Sequence, residues 1–426
     1  MLSKRRSILL VVIVYATMTL FGFIENIKGV SFPLIKAEFG AAYDEQGGLV
    51  SATWFGYVLF CLAAGFFLSR FGTKKAVVSG YILVGAGALA ALAMPTFWTA
   101  ALALLVVNAG FGFFEVGTNA LATQVFTSKT ALLMNLMHFF YGLGAVLGPK
   151  AAGLLTDSFD LGWRQVYIVA LIPVGIVAAA ALSTRFPKHG HESAPEGQAA
   201  SAEATKGPTG AAEHAAEGDA PATGDVSAAG AAARAPRFID ALRHPLVWTF
   251  SLTLGFMEVI EFGASNWGGL HLKDVYGLDP RTAGASFVSM FYILFTLSRL
   301  FGGFAVEKIG YMRSLFGAAA ASTLIYVVGF GLGSYGIWVL PVTGLFIGIM
   351  WPTIMAVAMG AFGKDAPVMT SAIIVISGAI NGVFQLGIGF TNRYLGEAWG
   401  YRSCLVYAVV VLASLWKLRG ELARKG

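Results

Sequence analysis

Twelve times along its 426 residues the chain runs through a long, mostly apolar stretch, each about 20 residues, the length a helix needs to cross a hydrocarbon core. The runs fall near 7–30, 48–68, 75–94, 98–124, 131–155 and 163–185, then 246–271, 281–304, 312–332, 336–361, 367–391 and 400–418. Inside lipid no water can pair with backbone amides and carbonyls, so a run of this kind must be a helix that satisfies them internally. The fold class follows: an all-α membrane protein with twelve transmembrane helices. Only 12% of the residues are charged, against about 25% in a soluble domain, and most of these sit between the runs. The 53 glycines have no collagen-like period; small residues suit helices that must approach closely where apolar burial alone does not drive association. Cys61 and Cys404 lie in separate runs, with neither metal-ligand spacing nor a disulfide signal. Met1–Arg6 and the apolar run behind it imitate a secretory signal. No A-x-A-like site follows and Glu25 interrupts the end of the run, so an uncleaved first helix is expected.

The order is six runs, a break, then six more. Residues 187–240 are rich in Ala, Gly, Glu, Pro and His, as in AAEHAAEGDAPATGD, and such a composition buries too little apolar surface to order itself. The expected organisation is a six-helix bundle over 1–186, a disordered linker over 187–240 and a second bundle over 241–426. His189, His191 and His214 have no regular spacing, so no metal is called there. The net charge of +6 could suggest nucleic acid, but the basic residues occupy short loops, where they set topology. Lys4, Arg5, Arg6, Lys74, Lys75, Arg313, Arg424 and Lys425 fall on the side of the termini and linker; Lys36, Arg164, Lys273 and Arg393 fall on the other. Cytoplasmic loops collect Lys and Arg, so both termini and the linker are expected in the cytoplasm, with the chain in the inner membrane.

The halves repeat a loop. After the second run the chain reads GFFLSRFGTKK from Gly65; after the eighth it reads GFAVEKIGYMR from Gly303. Both give Gly, a polar or acidic residue four on, a basic residue, another Gly and more basics, which points to duplication and two pseudo-symmetric six-helix bundles.

These loops resemble the inter-helix signature of the major facilitator superfamily. The resemblance implies a conformational latch on the cytoplasmic side, formed here by Arg70 and Gly72 in one copy and Glu307, Lys308, Gly310 and Arg313 in the other. Ser69 replaces the acidic residue of the first copy, which implies a weaker latch there. The fifth run carries GAVLGPKAAG from Gly144, close to the family's glycine-proline signature of antiporters; a small-residue packing face with a kink is the other reading. FGFFEVGTNA from Phe111, MNLMHFFYGLGAVLG from Met134, EFGASNW from Glu261 and GIMWPTIMAVAMG from Gly348 resemble the fucose permease-like sugar:proton symporters, a likeness spanning most of both bundles. That branch has an acid in its first helix, and its position aligns with Gly29, while Glu25 lies about a turn earlier.

Ionisable groups at mid-membrane depth are expensive, so those that persist usually face a cavity and serve function. Glu115 stands in the middle of the fourth run with Asn119 one turn on along the same face, and a carboxyl there can take up and release a proton; a permanently neutral structural acid is the alternative. Glu25 can pair with Lys28 near the outer end of the first run, either as a structural or gating ion pair or in contact with substrate. Asn135, His138 and Tyr141 make a polar stripe that either lines a cavity or packs. Glu258 and Glu261 both can face the interior of the seventh run. Trp267, beside Asn266, is either an interfacial anchor or a stacking surface for a planar solute. Asn381 and Gln385 share a face and suit solute hydroxyls or helix packing. Arg299 reads as cytoplasmic architecture ahead of the second signature loop, and Lys150 as a lysine that snorkels outward.

No nucleotide loop, nucleophilic triad or metal spacing occurs in the sequence, which argues against ATP-driven transport, an enzyme and any cofactor. The expectation is a secondary transporter that moves a small polar organic solute, a sugar among the candidates, with protons as coupling ion. The partners are solute, proton and lipid bilayer, without nucleic acid, and one chain containing both halves should suffice as a monomer. The rivals are a proton-driven drug or metabolite efflux antiporter and a non-transporting receptor or scaffold.

Overall fold

A computed structural model describes residues 4–126, 130–187 and 238–425. Most of the expected linker, with His189, His191 and His214, and the side chains of Lys4, Arg5, Asn135 and Lys425 lie outside the described residues. Every described element is a helix. Eleven segments have the length and apolarity to cross a membrane, and the 28-residue helix Thr130–Asp157 fills the place of the expected fifth. We label the long helices α1 (Lys4–Asn26, continued after Ile27 by Lys28–Phe39), α2 (Tyr43–Phe71), α3 (Thr73–Leu92), α4 (Phe97–Val125), α5 (Thr130–Asp157), α6 (Trp163–Ser183), α7 (Pro245–Tyr276), α8 (Ala285–Ile309), α9 (Tyr311–Gly331), α10 (Met350–Phe362), α11 (Ala366–Leu395) and α12 (Trp399–Lys425).

The helices overrun their apolar cores at the side away from the chain termini, here the far side. The first helix was expected to end near 30; it continues through Pro33 and Lys36 and stops at Gly40, whose φ of +60° suits glycine. The second starts at Tyr43, where the Glu45 carboxylate accepts from the Ala42 amide at 2.8 Å and satisfies an orphan donor of the first turn. Polar first and last turns carry no apolar signal, which explains the shortfall. The tenth run is no single helix: two 3-10 turns (Gly333–Trp338 and Leu340–Val342) and a short helix (Thr343–Ile347) precede α10.

The repeat of the sequence is also a repeat of the backbone. Gly72 and Gly310 take φ of +84° and +96°, and each amide donates to the carbonyl four residues back, Leu68 O at 2.9 Å and Val306 O at 2.8 Å. A side chain would be strained at either position. Arg70, Glu307, Lys308 and Arg313 are exposed, and Glu307 and Arg313 enter no ion pair among the described residues. Arg70 instead lies over the Phe71 ring, 5.7 Å from its centroid.

Within the first half α1 packs on α5, and within the second α7 packs on α11 and α12. Glycines set the α1–α5 distance: a side chain at Gly144 or Gly148 would overlap the backbone carbonyls of Thr19 or Phe23. The glycine-proline stretch of α5 is thus a close-packing face. The halves meet where α2 packs on α11 and α5 on α8. Hydrogen bonds joining them gather toward the far side: Tyr43 Oη donates to Asp274 at 2.6 Å, Ser51 Oγ to Gly382 O at 2.8 Å and Trp54 Nε1 to Gly378 O at 2.6 Å. Lys150 donates to Ser286 Oγ at 2.8 Å, so its outward reach ends on the other half. Gly47 and Gly389 bring α2 and α11 into backbone contact.

Candidate functional site

Glu115 and Arg299 each lie ten positions before the linker-side ends of their helices, Val125 and Ile309, and His138 lies eight positions after Thr130. At the 1.5 Å rise of a helix these depths are roughly 12–15 Å, so the three form one layer well inside the bundle. All three are partly accessible to solvent. They also face one another across the halves, because the Arg299 guanidinium is within electrostatic reach of Glu115, His138 and Glu261. Deep in the bundle, half-buried and within electrostatic reach of one another across the halves, they make the candidate site.

Arg299, expected as cytoplasmic architecture ahead of the signature loop, stands inside α8 ten residues before its end, and its Cζ lies 4.2 Å from the Phe295 ring centroid. Sequence alone held the signal: an arginine inside an apolar run is a functional candidate by default.

Thr96 starts α4 by accepting from the Thr99 amide at 3.3 Å, and within the helix the spacing of four puts Glu115 and Asn119 on one face. Asn119 Nδ2 donates to Glu115 Oε1 at 3.0 Å and to its carbonyl at 2.7 Å. The amide fixes the rotamer of the acid and leaves Oε2 for another partner.

Glu25 is differently placed. Because α1 extends to Phe39, Glu25 is mid-helix and not near the outer end. It is buried, and its carboxylate takes Lys28 Nζ at 3.3 Å and Tyr141 Oη at 2.5 Å. The stripe of α5 therefore divides: Tyr141 spends its hydroxyl on the ion pair, while His138 looks toward Arg299. Lys28 also lies 5.1 Å from the Phe262 ring centroid, which in turn packs on Trp54.

Glu258 and Glu261 part company as well. Glu258 turns to α11, where Ser377 Oγ donates to it at 3.5 Å; Glu261 lies within electrostatic reach of Glu25, Lys28 and Arg299. Asn266, Trp267, Asn381 and Gln385 are drawn together, but away from solvent. Gln385 Oε1 accepts from Trp267 Nε1 at 2.9 Å and Asn266 Nδ2 at 3.3 Å, and Gln385 Nε2 donates to Asn381 Oδ1 at 3.2 Å. With 1% of its surface exposed, Trp267 is neither an interfacial anchor nor an open stacking surface in this conformation. The network ties α7 to α11.

Among the described residues no group of His, Cys, Asp and Glu is arranged to hold a metal ion.

Comparison with known proteins places this architecture. The family model described as Major Facilitator Superfamily matches residues 14–391. The L-fucose-proton symporter of Escherichia coli (strain K12) is 21% identical over 416 residues, covering 87% of this chain and 84% of that protein. The cis,cis-muconate transport protein of Acinetobacter baylyi is 23% identical, covering 83% and 77%. Among solved structures, a bacterial homologue of the human lysosomal transporter Spinster, inward-facing and unoccupied, superposes with a TM-score of 0.73 at 16% identity, over 100% of this chain and 98% of that one. The chain belongs to the major facilitator superfamily, a family of secondary transporters and not of enzymes.

Proposed function

We propose that the protein moves a small polar organic solute across the cytoplasmic membrane by alternating access, with a proton carried at Glu115. The observation that carries the reading is the half-buried layer of Glu115, His138 and Arg299 between the halves, with a hydrogen-bonded seam joining the halves on the far side. With the basic loops and both termini in the cytoplasm, the hydrogen-bonded seam is the closed outer gate and the protein faces inward. Rocking of the halves about the layer would expose it to the opposite side. The relatives named for L-fucose and for cis,cis-muconate put a neutral sugar and an organic acid among the solutes to examine. Both sides of the layer come from one chain, so a monomer suffices. The glycine-proline stretch of α5 serves α1 packing, so no observation favours an efflux antiporter over a symporter.

Replacing Glu115 by Gln tests the proposal, since the amide keeps shape and hydrogen bonding but carries no exchangeable acid proton. In proteoliposomes the variant should exchange labelled L-fucose or cis,cis-muconate for unlabelled solute, yet fail to accumulate it in a pH gradient. Glu25→Gln should have the smaller effect on coupling, because that carboxylate is already occupied by Lys28 and Tyr141. Normal accumulation by Glu115→Gln removes the coupling role and passes it to Glu261, the acid of α7 nearest the same layer.

A further inference from the structure

Tyr292, Thr296 and Arg299 occupy one face of α8, spaced four and three residues apart. Among the described residues Thr296 Oγ1 and Arg299 Nε are buried and make no hydrogen bond, while the Tyr292 hydroxyl lies against Ser265. Other threonines of the chain return their hydroxyls to the carbonyl four residues back, as Thr323 and Thr391 do at 2.8 Å; Thr296 does not. Ser265 gives its proton to Phe262 O at 3.3 Å and keeps its oxygen as an acceptor for Tyr292. Buried donors without partners are rare because each forfeits its hydration for nothing. Thr296 and Arg299, on one stripe, point to an acceptor that arrives from outside the chain.

The charge at the inner end of the stripe says what kind. Ion pairs among the described residues are Glu25–Lys28, Glu38–Arg164 and Glu421–Lys417, and none involves Arg299. Glu115, Glu261 and His138 surround it at electrostatic range, but no carboxylate closes on the guanidinium. Phe295 holds the planar group from one side and leaves its donor fork free. A neutral hydroxyl would leave that charge uncompensated, whereas a carboxylate or sulfonate matches the fork with two parallel charge-assisted bonds.

We infer that the transported solute is an organic anion and that Arg299 receives its acidic group, with Thr296 donating farther along the same face. This rests on the transport reading above and specifies its substrate class. It also supplies the coupling. Ionised Glu115 and the anion draw on the same cation, so a proton on Glu115 frees Arg299 for the solute, and each ligand strengthens binding of the other.

The test is thermal unfolding of the purified full chain with D-galacturonate, D-galactose and cis,cis-muconate. The first two share a ring and differ at carbon 6, a carboxylate in one and a hydroxymethyl in the other. A ligand that binds the folded state raises the Tm. At least one of the two acids should raise it and D-galactose should not; Arg299→Gln should weaken acid binding about tenfold or more, with Arg299→Lys keeping part of it. The acid-versus-neutral comparison uses the native chain and survives any folding defect in the variants. Stabilisation by D-galactose equal to that by D-galacturonate, stabilisation by neither acid, or an undiminished acid effect in Arg299→Gln overturns the inference. Failure here leaves proton coupling at Glu115 standing, and acid binding by a protein whose Glu115→Gln variant still accumulates solute would remove the coupling alone.

Discussion

Replacing Tyr43 by Phe should tip the protein toward its outward-open state. The Tyr43 hydroxyl donates to Asp274 at 2.6 Å and ties the start of α2 to the end of α7, so the bond exists only while the far side is closed. Lys36 lies 4.0 Å from the centroid of the same ring, a contact that Phe retains, so the substitution isolates the hydroxyl. A hydrogen bond to a charged group stabilises by about 1.5–3 kcal/mol when buried and nearer 1 kcal/mol when one partner reaches water, as the half-buried Asp274 does. Losing about 1 kcal/mol multiplies the ratio of outward-open to inward-open molecules about fivefold. An outward population of about 5% would then rise to about 20%. Spin labels at Phe159→Cys and Leu395→Cys, both exposed on the far side of opposite halves, would report it by pulsed electron resonance in a background with Cys61 and Cys404 replaced by Ser. Growth of the long-distance population is expected. An unchanged distribution, or a shift to shorter distances, would refute the assignment of this bond to the outer gate.

Other perturbations follow from the same contacts. At Gly389 an added Cβ would stand 2.5 Å from Tyr43 O and 2.8 Å from Gly47 Cα, so Gly389→Leu should wedge α11 from α2 and give an even larger outward shift with the same labels. Gln385→Leu strands the Trp267 and Asn266 donors, at about 1–3 kcal/mol, and should lower the Tm by several degrees; an unchanged Tm would show that the network is not structural. Glu307 enters no ion pair among the described residues, so Glu307→Ala should leave the inward-open state intact and destabilise the state closed on the linker side, while Ser69→Asp should strengthen the latter. Cysteine accessibility on the two sides would show whether those shifts occur.

Helix number, order and duplication were legible because lipid forces every backbone group into helices and leaves an unbroken apolar run. The signature loops were legible for a local reason: Gly72 and Gly310 are fixed by positive φ, which a sequence can record as glycine. Helix ends on the far side were not, since Lys36, Glu38, Tyr43 and Asp44 look like loop residues until partners from elsewhere in the chain cover them. The tenth run hid its 3-10 turns for a similar reason, being apolar throughout. At the site, the spacing of Glu115 and Asn119 placed them on one face, and the structure adds the hydrogen bond between them. Spacing could not say that Tyr141 reaches Glu25 across 116 residues, or that Gln385 gathers Trp267 and Asn266 from across more than 115. Those pairings depend on how helices rotate about their axes, which no period of one helix contains. Arg299 was placed in the eighth run, but the nearby signature loop offered a ready explanation for a basic residue and hid its place beside Glu115 and His138.

The central claim is that solute and proton move together through the Glu115 layer, and the direct measurement is proton flux driven by solute alone. Proteoliposomes loaded with a pH-sensitive dye, with no gradient imposed, would receive L-fucose, D-galacturonate or cis,cis-muconate in turn. For whichever solute the native protein transports, the lumen should acidify as the solute enters. Glu115→Gln should exchange that solute without moving protons. Solute entry by the native protein at constant luminal pH, or undiminished acidification with Glu115→Gln, would contradict the account.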